Sequence, residues 1–508
     1  MPELESPVLR WLRGPWPIAL VLFVASLALF TRDNRFAFDY HPDEDGKTHQ
    51  IIERERNFHH PLLLLNATDL AVHLTGTPKT NQRVVIVGRW VSAAFAAAAV
   101  AALAFVAFYR AGWLAAWAVG LLVATHDKLY EAAHYLKEDT ALMFGIALFF
   151  VAVEMFARQP STRTLRVLGI AAAMAASGKY IGFLALLFAL PLVTRARLIE
   201  GRWKHFLLAF GLVFLVLNLP PTTHPSNPFK SLKREVAGVA GGHRGLTRDV
   251  PHAKYFSELR DDLSVPVLAL AGISLLALLA SARKRTAAEW TLAAFPLVFI
   301  TILSFSPKAG GRYLLPVTTL LCVLAGLGVV EIARLLPQGA PRLWANVIIA
   351  GGTACLLFAQ WPLLRTTMDD FRHDDRVELA AWVRANVPPD AIIVEDHRVN
   401  LAASSSGDES GKPQIPQQVF DNDYAADLGT LDEMKDWGTV YVAVSKRAYE
   451  RYFSKNLKPR DSEKADYERR KEFYVRLFTE GELVWERESR GIVYLQPGLR
   501  LYRLDHAR

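Results

Sequence analysis

The chain has 508 residues, of which 52% are hydrophobic, and a formal net charge of +8 with only two cysteines. This length exceeds what one ordinary core holds, and the apolar content, with 12 Trp and 28 Phe, is typical of a polytopic membrane protein. Cys322 and Cys355 both lie within apolar segments, which excludes a disulfide framework and a zinc or iron–sulfur ligand spacing. Much of the excess positive charge lies in short connectors, so a positive-inside bias explains it and no nucleic-acid partner is expected.

Eleven apolar segments alternate with polar connectors as far as Leu364. The first follows two arginines without a convincing small-residue cleavage site, so we predict a retained helix. Several are shorter than the roughly 20 residues that a full crossing of the membrane needs. Tilted helices reach that length by including flanking residues. The fifth and sixth are interpreted as two helices, with one long kinked helix as the alternative. The segments are 16–30, 84–108, 111–125, 140–156, 167–177, 180–193, 206–219, 265–280, 290–305, 313–330 and 345–358.

Basic residues occupy alternate connectors between these segments. With the N-terminus placed in the cytoplasm, the positive-inside rule holds at every turn. The cytoplasmic connectors then contain Arg110; Arg158, Arg163 and Arg166; Arg195, Arg197, Arg202 and Lys204; Arg283, Lys284 and Arg285; and Arg334 and Arg342. The outer side receives residues 31–83, 126–139, the turn near Lys179, 220–264, 306–312 and everything after 364. Most of the unusual polar clusters lie there, which predicts an active site on the extracytoplasmic face.

Two outer regions have patterns of their own. In the first loop, residues 45–57 predict a polar helix and 61–74 an apolar helix along the membrane interface. After Leu364 the composition becomes soluble, and a helix with a proline stop is expected over 377–390. Short strands are predicted at 391–396, 439–445, 482–488 and 491–497. The chain is thus expected to divide into a transmembrane domain, 1–364, and a small extracytoplasmic α/β domain, 365–508.

Three adjacent carboxylates, Asp43, Glu44 and Asp45, follow the first apolar segment on the outer side. Their mutual repulsion is expected to raise the pKa of at least one of them. A carboxylate tuned in this way can act as a general base. The alternative is a solvated acidic turn whose residues cap the start of a helix.

A second acidic pair, Glu138 and Asp139, opens the fourth apolar segment from the same side, close to His134 and Lys137. These acids are candidates for a supporting role at the same site. A helix dipole also favours acids at this position, so a purely structural role is the alternative.

Cations and histidines complete the candidate set. Lys179 lies between two apolar segments, and Lys308 and Arg312 stand just before another. They predict a phosphate clamp, with snorkelling towards lipid headgroups as the alternative. His59 and His60 lack a matching ligand set, so neither a metal nor another cofactor is predicted. There is no Walker loop and no dinucleotide-binding fingerprint, which disfavours a soluble nucleotide donor.

The order of the motifs resembles that of the C-type (GT-C) glycosyltransferases, and especially bacterial relatives of protein O-mannosyltransferases and lipid A aminoarabinose transferases. Each motif is short, and their order carries the resemblance, which covers most of the chain. The motif HHP lacks one proline of the family pattern, and Asp45 is an extra acid beside the usual pair. The matching motifs are DE (43–44), HHPLLLLNATDL (59–70), GRWVSAAF (88–95), KEDTALMF (137–144), GKYIG (178–182), GRYLLP (311–316) and WVRANVPPDAIIV (382–394).

This resemblance implies a GT-C fold of about eleven transmembrane helices in a bacterial cytoplasmic membrane. It implies an inverting transfer of a sugar from a polyprenyl-phosphate donor to a hydroxyl of a lipid, glycan or protein acceptor. Asp43 would be the base, Glu44 and Asp139 supporting acids, Lys179, Lys308 and Arg312 donor-phosphate contacts, and His59, His60 and Glu138 further substrate contacts.

Two other functions stay open at this point. A transporter or flippase would place charges near the midplane of broken helices, whereas these segments are charged at one rim. A lipid-linked glycan polymerase or ligase would share the donor without requiring the early Asp-Glu pair. The sequence alone specifies neither the sugar nor the acceptor.

Overall fold

The computed structural model describes most of the chain, and helices dominate it. The described residues are 14–38, 40–195, 202–221, 230–231, 233, 237, 246–247, 251–280, 286–305, 311–337, 341–404, 411–454, 458–459, 461–489, 491–492 and 494–504. Up to residue 370 the α-helices are Trp16–Phe30, Pro42–Ile52, Leu63–Thr75, Asn81–Ala111, Trp113–Ala124, Asp127–Ala133, Asp139–Arg158, Thr162–Gly178, Leu184–Arg195, Trp203–Leu217, Pro251–Asp262, Val265–Ala280, Ala287–Ser304, Leu315–Ala333 and Arg342–Asp370. Short 3-10 turns, Tyr180–Phe183 and Gly311–Leu314, precede two of these helices.

Each of the eleven predicted apolar segments has a helix at its place. Five described helical stretches are long and apolar enough to cross a membrane: Asn81–Ala111, Asp139–Arg158, Ala287–Ser304, Gly311–Ala333 and Arg342–Asn386. Shorter apolar helices accompany them. The prediction of an α-helical membrane protein is confirmed. The last stretch contains two helices, Arg342–Asp370 and Asp375–Asn386. The first of them runs past Leu364 to Asp370 before the chain turns.

Two helices separate at Lys179, as predicted for the fifth and sixth segments. The helix Thr162–Gly178 ends because Lys179 adopts an extended backbone, with φ −160° and ψ 148°. Gly178 lies against the backbone of Leu142, where an added Cβ would come within 2.5 Å of the Leu142 nitrogen. A glycine is therefore required for this close approach. It brings Lys179 next to the start of the helix Asp139–Arg158.

The first outer loop folds into two helices, Pro42–Ile52 and Leu63–Thr75. The polar helix was predicted over 45–57. It begins before residue 45 and ends before residue 57. His41 caps it, since His41 Nδ1 accepts a hydrogen bond from the Asp43 backbone at 3.1 Å. Past its end, the guanidinium of Arg56 donates to the Gln50 carbonyl at 2.5 Å and so satisfies an acceptor that the last turn leaves free.

The chain after residue 370 forms a mixed sheet flanked by helices. The strand order is Gln418–Asn422, Ile392–Asp396, Val440–Ser445, Leu499–Leu504, Glu482–Arg487, and the first three strands are parallel. The flanking helices are Asp375–Asn386, Leu431–Lys435, Lys446–Phe453 and Lys464–Glu480. Three short strands are Ala402–Ala403, Gln414–Ile415 and Lys458–Pro459, the last paired with Leu246–Thr247. Of the predicted strands, 391–396, 439–445 and 482–488 are present.

The predicted strand over 491–497 is wrong, because its described part turns instead. The Gln496 backbone N–H donates to the Ile492 carbonyl at 2.8 Å, and Arg376 donates to the Tyr494 carbonyl at 2.8 Å. These groups are therefore not used in a sheet ladder. The strand lies just beyond, at Leu499–Leu504.

The turn at Tyr494 and the buried Arg376 join the sheet domain to the first outer loop. The guanidinium of Arg376 stacks on the Tyr40 ring at 3.9 Å, and the Tyr40 hydroxyl donates to Asp374 at 2.7 Å. The Tyr494 ring packs against His41 with 4.4 Å between centroids. The part of the chain after residue 370 thus contacts His41, the residue that caps the helix carrying Asp43.

Candidate active site

A cavity of about 330 Å³ opens at the end of the helix bundle where the first outer loop lies. Most of its walls are polar or charged. Its lining comes from four separate parts of the sequence: 42–65, 137–138, 179 and 312–313. The lining residues are Pro42, Asp43, Gly46, Lys47, Gln50, Asn57, His59, His60, Leu65, Lys137, Glu138, Lys179, Arg312 and Tyr313.

Asp43 is the carboxylate that faces the cavity between cations. Its Oδ2 forms a short ion pair with Lys137 and lies 3.6 Å from the guanidinium of Arg312. Burial alone would raise the pKa of this carboxyl, but the charges of Lys137 and Lys47 hold the pKa well below its usual range. The expectation that like-charge repulsion raises a pKa in this cluster is therefore wrong for Asp43, because cations surround it.

The neighbours of Asp43 point elsewhere. Glu44 is fully buried outside the cavity lining and accepts two hydrogen bonds from Arg89, at 2.9 and 2.6 Å. It also accepts one from the Leu136 backbone at 3.1 Å, which ties the loop to the segment carrying Lys137. Asp45 is exposed and does not line the cavity. The structure thus gives the three carboxylates three different environments.

Lys47 stands one helical turn after Asp43 on the cavity side of the helix Pro42–Ile52. Its ammonium lies 3.2 Å from Glu138 Oε2, and both side chains are almost fully buried. Burial would raise the pKa of the Glu138 carboxyl, but the positive charges of Lys47 and His60 lower the pKa below its usual value. Glu138 is thus held ionised at the cavity wall.

Asp139 contacts a residue of the cavity wall without lining the cavity itself. It is the first residue of the helix Asp139–Arg158 and accepts a hydrogen bond of 2.6 Å from Lys179. Lys179 lines the cavity, with its ammonium 5.1 Å from the centre of the Tyr313 ring. Asp139 itself is absent from the lining. Its place indicates that it orients Lys179.

The two predicted histidines, His59 and His60, also line the cavity. The preceding Phe58 adopts a positive φ of 54°, and its carbonyl accepts a hydrogen bond from Tyr180 at 2.9 Å. Within the described part of the chain, no group of three His, Cys, Asp or Glu side chains is arranged to hold a metal ion. The predicted phosphate contact Lys308 lies outside the described residues.

Sequence reasoning missed four residues of this region: Lys47, Lys137, Tyr313 and His41. The four-residue spacing of Asp43 and Lys47 on one helix is the signal that could have found Lys47. Lys137 directly precedes the acidic pair that was selected. His41 is buried, and burial followed by the charge of Lys137 lowers its pKa well below the usual value. Its ring contact with Tyr494 joins positions far apart in the sequence.

The fold matches solved membrane-enzyme structures, although no known family profile and no curated protein sequence matches the chain. ArnT from Cupriavidus metallidurans bound to undecaprenyl phosphate is similar over 95% of this chain and 97% of that chain, with a TM-score of 0.51 and 14% identity. The Archaeoglobus fulgidus oligosaccharyltransferase tethered with an acceptor peptide is similar over 87% and 71%, with a TM-score of 0.53 and 10% identity. As the order of its motifs predicted, the chain has the fold of the GT-C superfamily.

Proposed function

We propose that this protein is a membrane glycosyltransferase that moves a sugar from a polyprenyl-phosphate donor to an acceptor hydroxyl. The observation that carries this proposal is the cavity that brings two carboxylates, Asp43 and Glu138, together with four cations: Lys47, Lys137, Lys179 and Arg312. Asp43 is the carboxylate that pairs with Lys137 and Arg312. Such a site combines a proton acceptor with charges that suit a phosphate leaving group.

In the proposed reaction, a carboxylate oxygen of Asp43 takes the proton of the acceptor hydroxyl. The acceptor oxygen forms a bond to the anomeric carbon while the bond from that carbon to the phosphate oxygen breaks. The electron pair of the broken bond leaves with the lipid phosphate. A single displacement of this kind inverts the anomeric configuration.

The cations are proposed to stabilise the negative charge that develops on the leaving phosphate. Arg312 offers a planar fork suited to two phosphate oxygens, whereas Lys179 is a compact charge held by Asp139 at 2.6 Å. The Arg312 side chain is 37% exposed, so it can reach a ligand in the cavity. Lys308 is proposed as a further phosphate contact.

Two further observations support a lipid-linked donor. The cavity lies at the ends of apolar helices, where a phosphate group and its polyprenyl chain meet polar and apolar surroundings together. The ArnT structure with the same fold contains undecaprenyl phosphate. His59, His60 and Glu138 also line the cavity and are proposed as acceptor or sugar contacts.

We propose that the cavity and the sheet domain face the extracytoplasmic side of a bacterial cytoplasmic membrane. The helix Asp139–Arg158 starts at the cavity and ends beside Arg110, which pairs with Glu154. Basic residues therefore collect at the end remote from the cavity, as the positive-inside rule requires for a cytoplasmic end.

The decisive experiment is an assay of the purified protein in lipid nanodiscs. It offers radiolabelled sugars on undecaprenyl phosphate together with extracted envelope lipids, glycans and proteins. We expect release of undecaprenyl phosphate coupled to labelling of one acceptor class, and loss of both in Asp43→Asn. Flipping of the intact donor across a vesicle membrane without cleavage, or extension of a lipid-linked glycan in repeating units, would replace this proposal with the transporter or polymerase alternative.

A further inference from the structure

Lys137 occupies a position between the cavity, the carboxylate of Asp43 and the ring of His41. Its ammonium forms the short ion pair with Asp43 Oδ2 and lies 3.4 Å from His41 Nε2. Lys137 is 5% exposed, and what remains open faces the cavity. Arg312 contacts the same carboxylate oxygen at 3.6 Å. Two of the four cations that line the cavity, Lys137 and Arg312, are therefore engaged by Asp43 in this structure.

The hydrogen bond of His41 decides which acceptor Lys137 can use. His41 Nδ1 accepts the backbone N–H of Asp43, so in the neutral ring Nε2 carries the proton. A protonated Nε2 offers no lone pair to the Lys137 ammonium. Among the described residues, Asp43 is the one carboxylate that forms an ion pair with Lys137. An anion entering the cavity would thus compete with a single carboxylate for this lysine.

The ion pair has a consequence for the chemistry of Asp43. A carboxylate whose pKa is held far below the usual range by neighbouring cations is a weak base, because its conjugate acid is disfavoured. Burial and the charge of Arg312 lower the pKa of Lys137 to about 7, so an added negative charge beside it would favour its protonated form. This arrangement suits storage of the base and not its use.

We propose that Lys137 is a positioning residue whose ammonium leaves Asp43 and pairs with the donor phosphate when the donor binds. Asp43 is then free to take the proton of the acceptor hydroxyl. This inference rests on the proposed function and deepens it. Arg312 shifts in the same direction because it contacts the same oxygen. The base would therefore become effective only in a site that already holds the phosphate of a lipid-linked sugar.

This exchange makes Asp43 and the phosphate competitors for the same cations. Removing the carboxylate charge should then strengthen the binding of a lipid phosphate, although it removes the base. We expect Asp43→Asn to bind undecaprenyl phosphate at least about fivefold more tightly than the unsubstituted protein, which is the lower end of typical coupling between two sites. A residue with a merely structural role would weaken binding or leave it unchanged.

The test measures equilibrium binding of undecaprenyl phosphate to the full-length protein in nanodiscs. Asp45→Asn is the matched control, because it removes an adjacent exposed carboxylate that lies outside the cavity. Its affinity should stay within about twofold of the unsubstituted protein. The fivefold gain should also shrink when Asp43→Asn is made in a Lys137→Met background, because only Arg312 is then left to pair with the phosphate, and the cycle isolates the interaction of Asp43 with Lys137. Lys137→Arg, which keeps the charge, should retain the gain.

Equal or weaker binding by Asp43→Asn, or an equal gain in Asp45→Asn, overturns the charge shift while leaving the transferase proposal intact. A gain that persists unchanged in the Lys137→Met background overturns the role of Lys137. If the unsubstituted protein does not bind undecaprenyl phosphate and cleaves no lipid-linked donor, the proposed function fails and this inference fails with it.

Discussion

Lys179 donates a hydrogen bond of 2.6 Å to Asp139, and this contact joins the break between two apolar helices to the first residue of a third. The extended backbone at Lys179 and the close packing of Gly178 on Leu142 make the contact possible. A residue 40 positions away in the sequence thereby holds Lys179 at the cavity wall.

The Asp139→Asn substitution tests this contact. We expect it to raise the KM for the lipid-linked donor several-fold, because the amide lacks the charge that holds the Lys179 ammonium. The kcat should fall less than the KM rises. Steady-state kinetics at varied donor concentration would measure both constants. An unchanged KM would show that Lys179 is held in place by packing alone.

Arg312 is predicted to depend on its shape as well as its charge. Arg312→Ala should reduce donor use strongly, and Arg312→Lys should restore only part of it, because a point charge cannot grip two phosphate oxygens as a guanidinium does. Donor titrations on both variants provide the measurement. Kinetics of Arg312→Ala equal to those of the unsubstituted protein would make this arginine a snorkelling anchor.

The buried pair of Glu44 and Arg89 is predicted to act through stability. Glu44→Ala should lower the free energy of unfolding by about 3–5 kcal/mol, since it leaves the Arg89 charge buried without its carboxylate. Turnover should fall together with the folded fraction. Thermal unfolding in detergent, compared with that of Asp45→Asn as an exposed control, checks this. Full stability with abolished turnover would instead place Glu44 in the chemistry.

The sequence predicted what depends on local pattern. Hydropathy located every apolar helix, and the motif letters selected Asp43, Lys179 and Arg312, which the fold brings to one cavity. Charge spacing alone could not tell which member of the acidic cluster faces that cavity. That choice depends on Arg89, 45 positions after Glu44, which takes the middle carboxylate into the protein interior.

The sign of the pKa shift of Asp43 was likewise beyond the sequence. Counting adjacent acids predicted repulsion, whereas Lys137 comes from a segment 94 positions away. The false strand over 491–497 has a similar origin, because Ile492 accepts a hydrogen bond from the Gln496 backbone in a turn that Arg376 holds through the carbonyls of Tyr494 and Leu495. In both cases a partner that lies far away in the sequence decides the outcome, and the pattern of neighbouring residues does not show that partner.

Membrane sidedness gives a prediction that does not depend on the chemistry. Reporter fusions placed after His373, just beyond the helix Arg342–Asp370, should be active only as an exported enzyme such as alkaline phosphatase. A fusion in the connector after Arg158 should behave in the opposite way. An active cytoplasmic reporter after His373 would refute the proposal that the cavity and the sheet domain face outward.

The roles of the acidic cluster are separated by comparing Asp43→Asn with Asp45→Asn. Asp43→Asn should abolish most turnover, by about a hundredfold to ten-thousandfold, because the amide keeps the size of the carboxylate but cannot accept a proton. The protein should remain folded, since Asp43 is partly exposed at the cavity wall. Asp45→Asn should retain most activity, because its exposed side chain does not line the cavity.

Expression, thermal stability and turnover on one donor are measured side by side for both variants. An inactive Asp45→Asn with an active Asp43→Asn would move the base by two residues. Full activity in both would mean that this helix start is a solvated acidic turn and that the base lies elsewhere.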